Sequence, residues 1–243
     1  MPKDEIYRQP VETIEDFCFD QTVSAAFDNM VERSVPGYRT LIANIGPIAA
    51  HFLTPGGRAY DLGCSHGAAS LAIFQALKEN KRKIIAVDSA TAMIDACRSR
   101  IAAAGAEQWI ETETAKLQDV PIEDAAVIVL NLTLQFIPIA ERDDIIKQLY
   151  QGLNMGGACI LTEKIELAAP ADDQLFRELH ENFKRANLYS DLEISQKRKA
   201  LENVLLRESL AMHEQRLHQA GFRQVQVWFQ CLSFVSILAI KWS

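Results

Sequence analysis

A short loop of small residues with one acid is the first place in the sequence where ligand chemistry is expected. The stretch Tyr60-Asp61-Leu62-Gly63-Cys64-Ser65-His66-Gly67 follows a strand-like run and precedes a helical one. Small residues let the backbone approach a ligand closely, and a helix N-terminus favours negative charge. The spacing Gly63-x-Ser65-x-Gly67 does not match the G-x-G-x-x-G pattern of dinucleotide sites. The loop therefore fits another kind of ligand, and a tight turn without a ligand is the alternative.

Two further polar residues stand where consecutive strands are predicted to end. Asp88 follows the strand-like run 83–87, where a carboxylate can accept hydrogen bonds from both hydroxyls of a ribose. Asn131 follows the run 126–130, and the carboxyl end of a central strand borders the ligand crevice of an open sheet. With the loop, these residues predict a nucleoside cofactor. The structural alternatives are Asp88 as a helix cap and Asn131 as a turn residue.

Alternating strand and helix patterns from residue 58 onward predict the scaffold that positions these side chains. Strands are expected at 59–62, 83–87, 109–113, 126–130 and 158–162, with helices near 67–80, 90–104 and 140–152. Such alternation is typical of a parallel sheet wound on both faces. The last two strands, 225–229 and 235–242, have no helix between them and should pair antiparallel.

Helical segments flank this alternating region. An N-terminal helical cap is predicted over about 1–57, with helices near 20–33 and 39–53 on either side of Pro36-Gly37. The highly charged segment of about 172–210 interrupts the strand–helix rhythm, so we predict a helical insertion there. The sequence contains no internal repeat and no linker, and we predict a single domain over residues 1–243.

Composition narrows the class of protein. The 243 residues are 49% hydrophobic and 23% charged, which is typical of a globular protein with one core. The net charge of -7 argues against direct binding of nucleic acid. Five cysteines without a C-x-x-C pair predict neither a metal site nor a disulfide framework, but thiols in a reducing cytoplasm. The polar N-terminus and the absence of a long apolar run predict no membrane association.

The loop at 60–67 is similar to motif I of class I S-adenosylmethionine-dependent methyltransferases, with Ser65 in place of the usual middle glycine. More specific stretches occur in order along the chain: Arg33-Ser34-Val35-Pro36-Gly37-Tyr38, 131–136, 183–187, 192–198, 201–204 and 228–231. Together these stretches closely resemble the carboxy-S-adenosyl-L-methionine synthase family. The resemblance implies an α/β, doubly wound, Rossmann-like class I methyltransferase fold. It implies seven strands, mostly parallel, with the last strand antiparallel.

The resemblance also implies an activity. Members of this family carboxylate the methyl group of S-adenosyl-L-methionine, taking the carboxyl from prephenate, which leaves as phenylpyruvate. A partner enzyme transfers the carboxymethyl group to the wobble uridine of tRNA, giving 5-oxyacetyluridine. The resemblance further implies a homodimer, and the cysteine pattern described above predicts a cytoplasmic protein without a metal. An ordinary S-adenosylmethionine-dependent methyltransferase acting on a small molecule or tRNA, and a non-catalytic cofactor-binding protein, are the alternatives.

The family's site residues carry over position by position. Those implied to bind the cofactor are Tyr38, Gly63, Cys64, Ser65, Asp88, Ser89, Lys116, Leu117, Asn131 and Arg198. The arginine that binds the transferred carboxylate is implied to be Arg198, and Arg198 and Tyr38 are the implied catalytic residues.

Two departures from the family pattern bear on the cofactor site. Ser89 stands where the family usually has Asn, and its shorter side chain should make a weaker or water-mediated contact. Ala115-Lys116 stands where the family has Gly-Asp. A lysine side chain has no acceptor for the adenine amino group, so only the backbone of Lys116 can serve, with Asp119 as a candidate replacement.

Overall fold

A seven-stranded sheet forms the centre of the computed structural model, which describes residues 3–242. The strands are β1 Arg58–Leu62, β2 Ile84–Asp88, β3 Ile110–Thr114, β4 Ala125–Asn131, β5 Leu153–Lys164, β6 Gln224–Cys231 and β7 Phe234–Ile240. Their order across the sheet is β3-β2-β1-β4-β5-β7-β6. Strands β1 to β5 pair in parallel, and β7 runs antiparallel to both β5 and β6. The predicted fold class is therefore confirmed, including the antiparallel last strand.

Eight α-helices accompany the sheet in the part of the chain that the structure describes. They are α1 Gln21–Ser34, α2 Tyr38–Phe52, α3 Ala68–Ala76, α4 Thr91–Ala103, α5 Arg142–Gly152, α6 Pro170–Ala186, α7 Asp191–Leu201 and α8 Leu210–Ala220. Helices are thus present both before residue 57 and within 172–210. The description of the chain as one domain with a cap and an insertion stays a prediction.

Strand β4 lies at the centre of the core because its apolar run packs on both faces. Residues 125–130 are all buried. Val127 and Val129 pack into the layer formed with α2, α3 and α4, whereas Ile128 and Leu130 pack into the layer with α5 and α8. An apolar run without alternation is what a strand covered on both sides requires.

Strand β5 begins at Leu153, before the predicted start at residue 158, and it includes a bulge at 154–157. Ala125 of β4 pairs with Leu153, but Val127 pairs with Ala158, so the intervening residues of β5 loop out of the ladder. Gly156 adopts φ of 77°, which permits this excursion. The predicted strand 158–162 is thus the part of β5 that follows the bulge.

The strand order explains how the candidate site is assembled. Strands β2, β1 and β4 are neighbours and parallel, so their carboxyl ends meet at one edge of the sheet. The loop after β1, Asp88 at the end of β2, and Asn131 at the end of β4 therefore come together.

None of the helices within residues 3–242 is long and apolar enough to cross a lipid bilayer.

Candidate active site

The loop between β1 and α3 packs closely against its neighbours through a left-handed backbone. Gly63, Ser65 and Gly67 adopt φ of 77°, 48° and 72°. A Cβ on Gly63 would lie 2.4 Å from the Thr133 side chain, so only glycine fits there. The Gly63 backbone N–H also donates to the Val87 carbonyl at 2.8 Å. The positive φ at Ser65 gives a physical reason why glycine is usual at this middle position.

Asp61 fastens this loop to the helix that follows it. Its carboxylate accepts hydrogen bonds from the Ser70 backbone N–H at 2.9 Å and from the Ser70 hydroxyl at 2.6 Å. Asp61 is buried, and burial raises the pKa of its carboxyl group to about 6. The loop motif predicted the acid, but it gave no indication of Ser70, which lies one turn inside α3.

Asp88 has both a structural contact and room for a ligand. One carboxylate oxygen accepts from the Ser65 backbone N–H at 2.9 Å, and the other accepts from the Ala90 N–H at 2.9 Å, at the start of α4. Burial raises the pKa of Asp88. Each carboxylate oxygen has a second lone pair, so the capping role leaves acceptor capacity for two ribose hydroxyls.

Asn131 carries a buried oxygen with no partner. Within residues 3–242, its Oδ1 atom is shielded from solvent and accepts no hydrogen bond. A buried acceptor without a donor is unfavourable, and a ligand that brings a donor removes the penalty. The loop that follows is fixed by Glu163, whose oxygens accept from the backbone N–H groups of Leu134 at 2.9 Å and Gln135 at 2.7 Å. Burial raises the pKa of Glu163 to about 8.

The predicted cofactor residues line two adjoining cavities. The first, which we call the outer cavity, lies beyond β2 and β3, and its walls include Asp88, Ser89, Lys116 and Leu117. The second, the inner cavity, lies beneath α1, and its walls include Tyr38, Asp61, Cys64 and Asn131. Gly63 and Ser65 line both cavities. The structure thus brings these residues together, while their contacts with a cofactor stay predictions.

The outer cavity contains an acidic residue that sequence analysis missed. The Lys116 side chain is exposed, and Asp119, the candidate replacement, is not among the residues that line this cavity. Glu141 is, and it accepts a hydrogen bond from the Gln118 side chain at 2.8 Å. Glu141 comes from the turn before α5, far from motif I, so no local pattern pointed to it.

Tyr38 begins α2 and contributes to the wall of the inner cavity. The preceding Gly37 adopts φ of 75°, and a Cβ there would lie 2.7 Å from the Phe229 ring. Burial raises the pKa of the Tyr38 hydroxyl far above its ordinary value. Tyr38 therefore remains a neutral hydroxyl at any working pH.

Arg198 lies apart from the other predicted residues. It lines a third cavity, the cationic cavity, whose walls include Lys164, Arg177, His180, Lys184, Arg198 and Arg207. Its side chain is 59% exposed and donates to Glu181 at 2.7 Å. The cationic cavity adjoins the inner one, since Lys164, His180 and Lys184 line both.

The residues just before Arg198 tie the N-terminal segment to α7. Gln196 accepts from the Val11 backbone N–H at 2.8 Å and donates to the Tyr7 and Gln9 carbonyls. Lys197 is buried and donates to Asp4 at 3.2 Å. The stretch containing Arg198 therefore also holds the chain that closes over the inner cavity.

Comparison with known proteins gives consistent results. A family model described as a methyltransferase domain matches residues 59–157. The chain is 51% identical to carboxy-S-adenosyl-L-methionine synthase of Trichlorobacter lovleyi, covering 98% of both chains. It is 46% identical to proteins of the same name from Actinobacillus pleuropneumoniae, covering 99% of this chain and 100% of the relative, and Yersinia pestis, covering 98% and 90%.

Solved structures support the fold. An O-methyltransferase family protein from Burkholderia thailandensis has a TM-score of 0.67 at 15% identity, and the match covers 96% of this chain and 66% of that one. Human N-acetylserotonin methyltransferase, in a complex with S-adenosylmethionine, has a TM-score of 0.62 at 15% identity, covering 92% and 56%. No group of three or more His, Cys, Asp or Glu side chains within residues 3–242 could hold a metal ion.

The relatives named above are 46–51% identical to this chain over nearly its full length. The chain is therefore an enzyme that belongs to the carboxy-S-adenosyl-L-methionine synthase family.

Proposed function

We propose that this enzyme transfers a carboxyl group from prephenate to the methyl group of S-adenosylmethionine, giving carboxy-S-adenosylmethionine and phenylpyruvate. The observation that carries the proposal is the position of the inner cavity. On one side it adjoins the outer cavity, which contains Asp88, and on the other it adjoins the cationic cavity. A cationic nucleoside and an anionic donor can therefore meet between them.

The cofactor would lie along the sheet edge. Asp88 would accept from the ribose hydroxyls, and Asn131 Oδ1 would accept from the amino group of the methionine portion. The loop 63–65 would follow the methionine portion between the two cavities. S-adenosylmethionine supplies a methyl group whose protons are acidified by the adjacent positive sulfur. Asp61, buried in the inner cavity wall, favours that positive charge.

The overall reaction balances with one molecule of water. Prephenate loses its ring carboxyl and its ring hydroxyl, and the resulting aromatic ring makes this loss favourable. The cofactor methyl gives up one proton and gains the carboxyl carbon through a new carbon–carbon bond. That proton and the released hydroxide leave as water. The chain's task is then to position the two molecules and to keep bulk water away.

Aromatic side chains supply the water-excluding wall. Phe17 and Phe19 lie with ring centroids 5.1 Å apart, and Phe19 and Phe136 lie 5.2 Å apart, both edge to face. All three rings line the inner cavity, and Phe27 and Phe234 also contribute to it. Because Phe17 and Phe19 belong to the N-terminal segment, anchoring that segment through Gln196 and Lys197 also protects the reacting atoms.

Mass spectrometry of the cofactor tests this proposal. The protein is incubated with S-adenosylmethionine, with and without prephenate, and with phenylpyruvate as a control for the donor. We expect the mass of the cofactor to increase by one CO2 unit only with prephenate. An ordinary methyltransferase would instead form S-adenosylhomocysteine when given an acceptor, and a non-catalytic protein would leave the cofactor unchanged.

We also propose that the enzyme is a cytoplasmic homodimer whose product supplies a tRNA-modifying enzyme. Exposed apolar side chains on α6 and near the start of α7, namely Leu175, Leu179, Leu188 and Leu192, support a partner surface there. The net charge of -7 supports indirect participation, without tRNA binding by this chain. Sedimentation of the protein alone and with tRNA tests both points, and a monomer that binds tRNA would contradict them.

A further inference from the structure

Two lysines lie at the junction of the inner and cationic cavities. Lys164 ends β5, and Lys184 lies in the last turn of α6. Each of these lysines lines the inner cavity as well as the cationic cavity. Neither belongs to the cofactor contacts that the family resemblance implies. The two lysines are 20 residues apart in the chain, and the packing of α6 beside the sheet edge brings them together.

Neither ammonium has an acceptor within the described chain, residues 3–242. The hydrogen bonds and ion pairs of that region include none from Lys164 Nζ or Lys184 Nζ, and Lys164 lies 5.8 Å from the centroid of the Phe234 ring. By contrast, Lys197, which also lines the inner cavity, donates to Asp4 and Ser34 at 3.2 Å each. The two lysines at the junction therefore differ from Lys197, whose ammonium group has hydrogen-bond acceptors.

The carboxylates nearby are already engaged by other cations. Asp173 accepts from Arg207 at 2.7 Å and from Arg177 at 3.1 Å. Glu181 accepts from Arg198 at 2.7 Å. Six lysines and arginines but only three carboxylates line the cationic cavity, in a chain whose net charge is -7. The excess of positive charge is therefore local, and no acid in the cavity is left to balance the lysines.

His180 adds a polar group to this junction without adding charge. Its Nε2 atom lies 2.7 Å from the Ser34 carbonyl, which can only accept, so Nε2 carries the proton. Burial and the adjacent Lys164 and Lys184 lower the pKa of His180, so the ring is neutral. Its ring packs against Phe234 with centroids 5.2 Å apart. The junction thus has two cations and a neutral, oriented imidazole.

Burial matters here because the two ammonium groups have no counter-charge within residues 3–242. It lowers the pKa of Lys164 to about 7 and that of Lys184 to about 8, and neighbouring cations lower them further in the same direction. Removing an ammonium from water without a counter-charge is unfavourable, whereas an anion in the cavity would reverse the penalty. Titratable groups with strongly shifted pKa values in a cavity are candidates for a ligand site, and two cations there favour a ligand that supplies negative charge.

We propose that Lys164 and Lys184 bind the carboxylates of a dianionic carboxyl donor, at the junction between the cofactor methyl and the cationic cavity. The identity of the donor as prephenate, which the tests below use, rests on the proposed function. A dianion satisfies both ammoniums, and placing it here sets the donor beside the inner cavity. Arg198 then belongs to the outer part of the same positive region.

The test uses Lys164→Met and Lys184→Met, which keep the length and remove the charge. Lys147→Met, at an exposed position on α5, is the control with the same charge change. Calorimetry measures binding of prephenate in the presence of S-adenosylhomocysteine, and steady-state assays measure the KM for prephenate. We expect each junction variant to lose affinity for prephenate by at least about 30-fold, with S-adenosylhomocysteine binding unchanged.

Thermal unfolding distinguishes this role from a merely structural one. Without a donor, Lys164→Met should unfold at a higher temperature than the parent, because a cation without a counter-charge has been removed from a half-buried position. Prephenate should raise the unfolding temperature of the parent and of Lys147→Met, but not of either junction variant. Lys184→Arg, which keeps the charge, should regain most of the binding.

The outcomes separate the two proposals. If the parent carboxylates the cofactor and the folded lysine variants bind prephenate as the parent does, the anion site is wrong and the proposed function stands. If the parent binds prephenate through the lysines but forms no carboxylated cofactor, the site stands and the proposed function is wrong. If the parent neither binds nor reacts with prephenate, both are overturned.

Discussion

The two sides of the inner cavity are built on opposite electrostatic arrangements. On the sheet side, Asp61 and Asp88 are held by backbone N–H groups and are fixed before any ligand arrives. On the opposite side, where α6 packs and which we call the helical side, Lys164 and Lys184 line the cavity. They make no side-chain hydrogen bond or ion pair within residues 3–242. The first arrangement suits a cationic nucleoside that is oriented by fixed acceptors. The second leaves positive charge that only an incoming anion neutralises.

This difference indicates how the inner cavity can hold two substrates, each on its own side. A sulfonium group is favoured near the aspartates and disfavoured near the lysines, and a dicarboxylate has the reverse preference. Selectivity would then follow from charge placement as well as from shape. Variants on one side should therefore affect one ligand and leave the other unaffected.

A large effect is expected at Arg198, on the outer part of the positive region. Arg198→Leu should weaken binding of carboxy-S-adenosylmethionine by about 1.5–3 kcal/mol, the contribution of hydrogen bonds to a charged group, if the arginine binds the transferred carboxylate. Affinity for S-adenosylhomocysteine should change much less. Arg185→Leu is the control, since Arg185 also contacts Glu181, at 3.5 Å, but is not among the residues lining the three cavities. Equal effects of the two variants, measured by calorimetry on intact protein, would argue against the role.

Asp88→Ala should weaken cofactor binding about 10- to 100-fold, because hydrogen bonds to a charged group contribute about 1.5–3 kcal/mol. Asp119→Ala is the matched control, an exposed acid that does not line the outer cavity. Calorimetry with S-adenosylhomocysteine measures the loss, and prephenate binding should be retained. A loss of prephenate binding as large as that of the cofactor would remove the proposed division between the two sides.

The pH dependence should differ between the two ligands. Lys164, with its pKa lowered to about 7, and Lys184, with its pKa lowered to about 8, lose their protons as the pH rises from below 7 to above 8. The groups around Lys164 are Lys184, Arg177, Arg207 and the paired Asp173, with His180 neutral. We expect kcat/KM for prephenate to fall as the pH rises through this range, while S-adenosylhomocysteine affinity stays constant.

The lowered pKa of Lys164 should affect stability in the opposite direction: the free energy of unfolding should rise with pH, whereas kcat/KM for prephenate falls. The unfolded lysine keeps a pKa near 10.5, so between about pH 7 and 10.5 the unfolded state binds more protons than the folded state. The contribution of Lys164 to the free energy of unfolding should therefore increase with pH across this window. Denaturation of the parent and of Lys164→Met over pH 7–10 measures the difference, and parallel curves would contradict it.

The smallest effect is expected at Asn131. A neutral hydrogen bond contributes about 0.5–1.5 kcal/mol, so Asn131→Ala should weaken cofactor binding about 2- to 12-fold. Because Oδ1 has no partner in the described chain, the ligand-free variant should unfold at the same temperature as the parent or higher. A clear loss of thermal stability would instead support Asn131 as a turn residue.

The sheet side of the site could be predicted from sequence because each of its residues follows a strand with a recognisable pattern. The loop at 60–67, Asp88 and Asn131 lie at the ends of β1, β2 and β4, and a parallel sheet places those ends together. Strand boundaries needed only to be right within a residue or two for this inference to hold.

The helical side could not be predicted in the same way. Lys164 ends a strand without a motif, and Lys184 stands beside Arg185 in a charged helix that resembles any solvated surface. Their meeting depends on the packing of α6, which no local pattern specifies. Arg198 shows the converse: resemblance identified it, but only the structure places it beside Glu181 and outside the inner cavity.

The central claim is that one enzyme moves a carboxyl group from prephenate to the cofactor methyl. The most direct measurement uses prephenate isotopically labelled in its ring carboxyl, with unlabelled S-adenosylmethionine, and follows the label by mass spectrometry. We predict that the label appears in carboxy-S-adenosylmethionine and that equal amounts of unlabelled phenylpyruvate are formed. Formation of S-adenosylhomocysteine, or of carboxylated cofactor without the label, would contradict the claim.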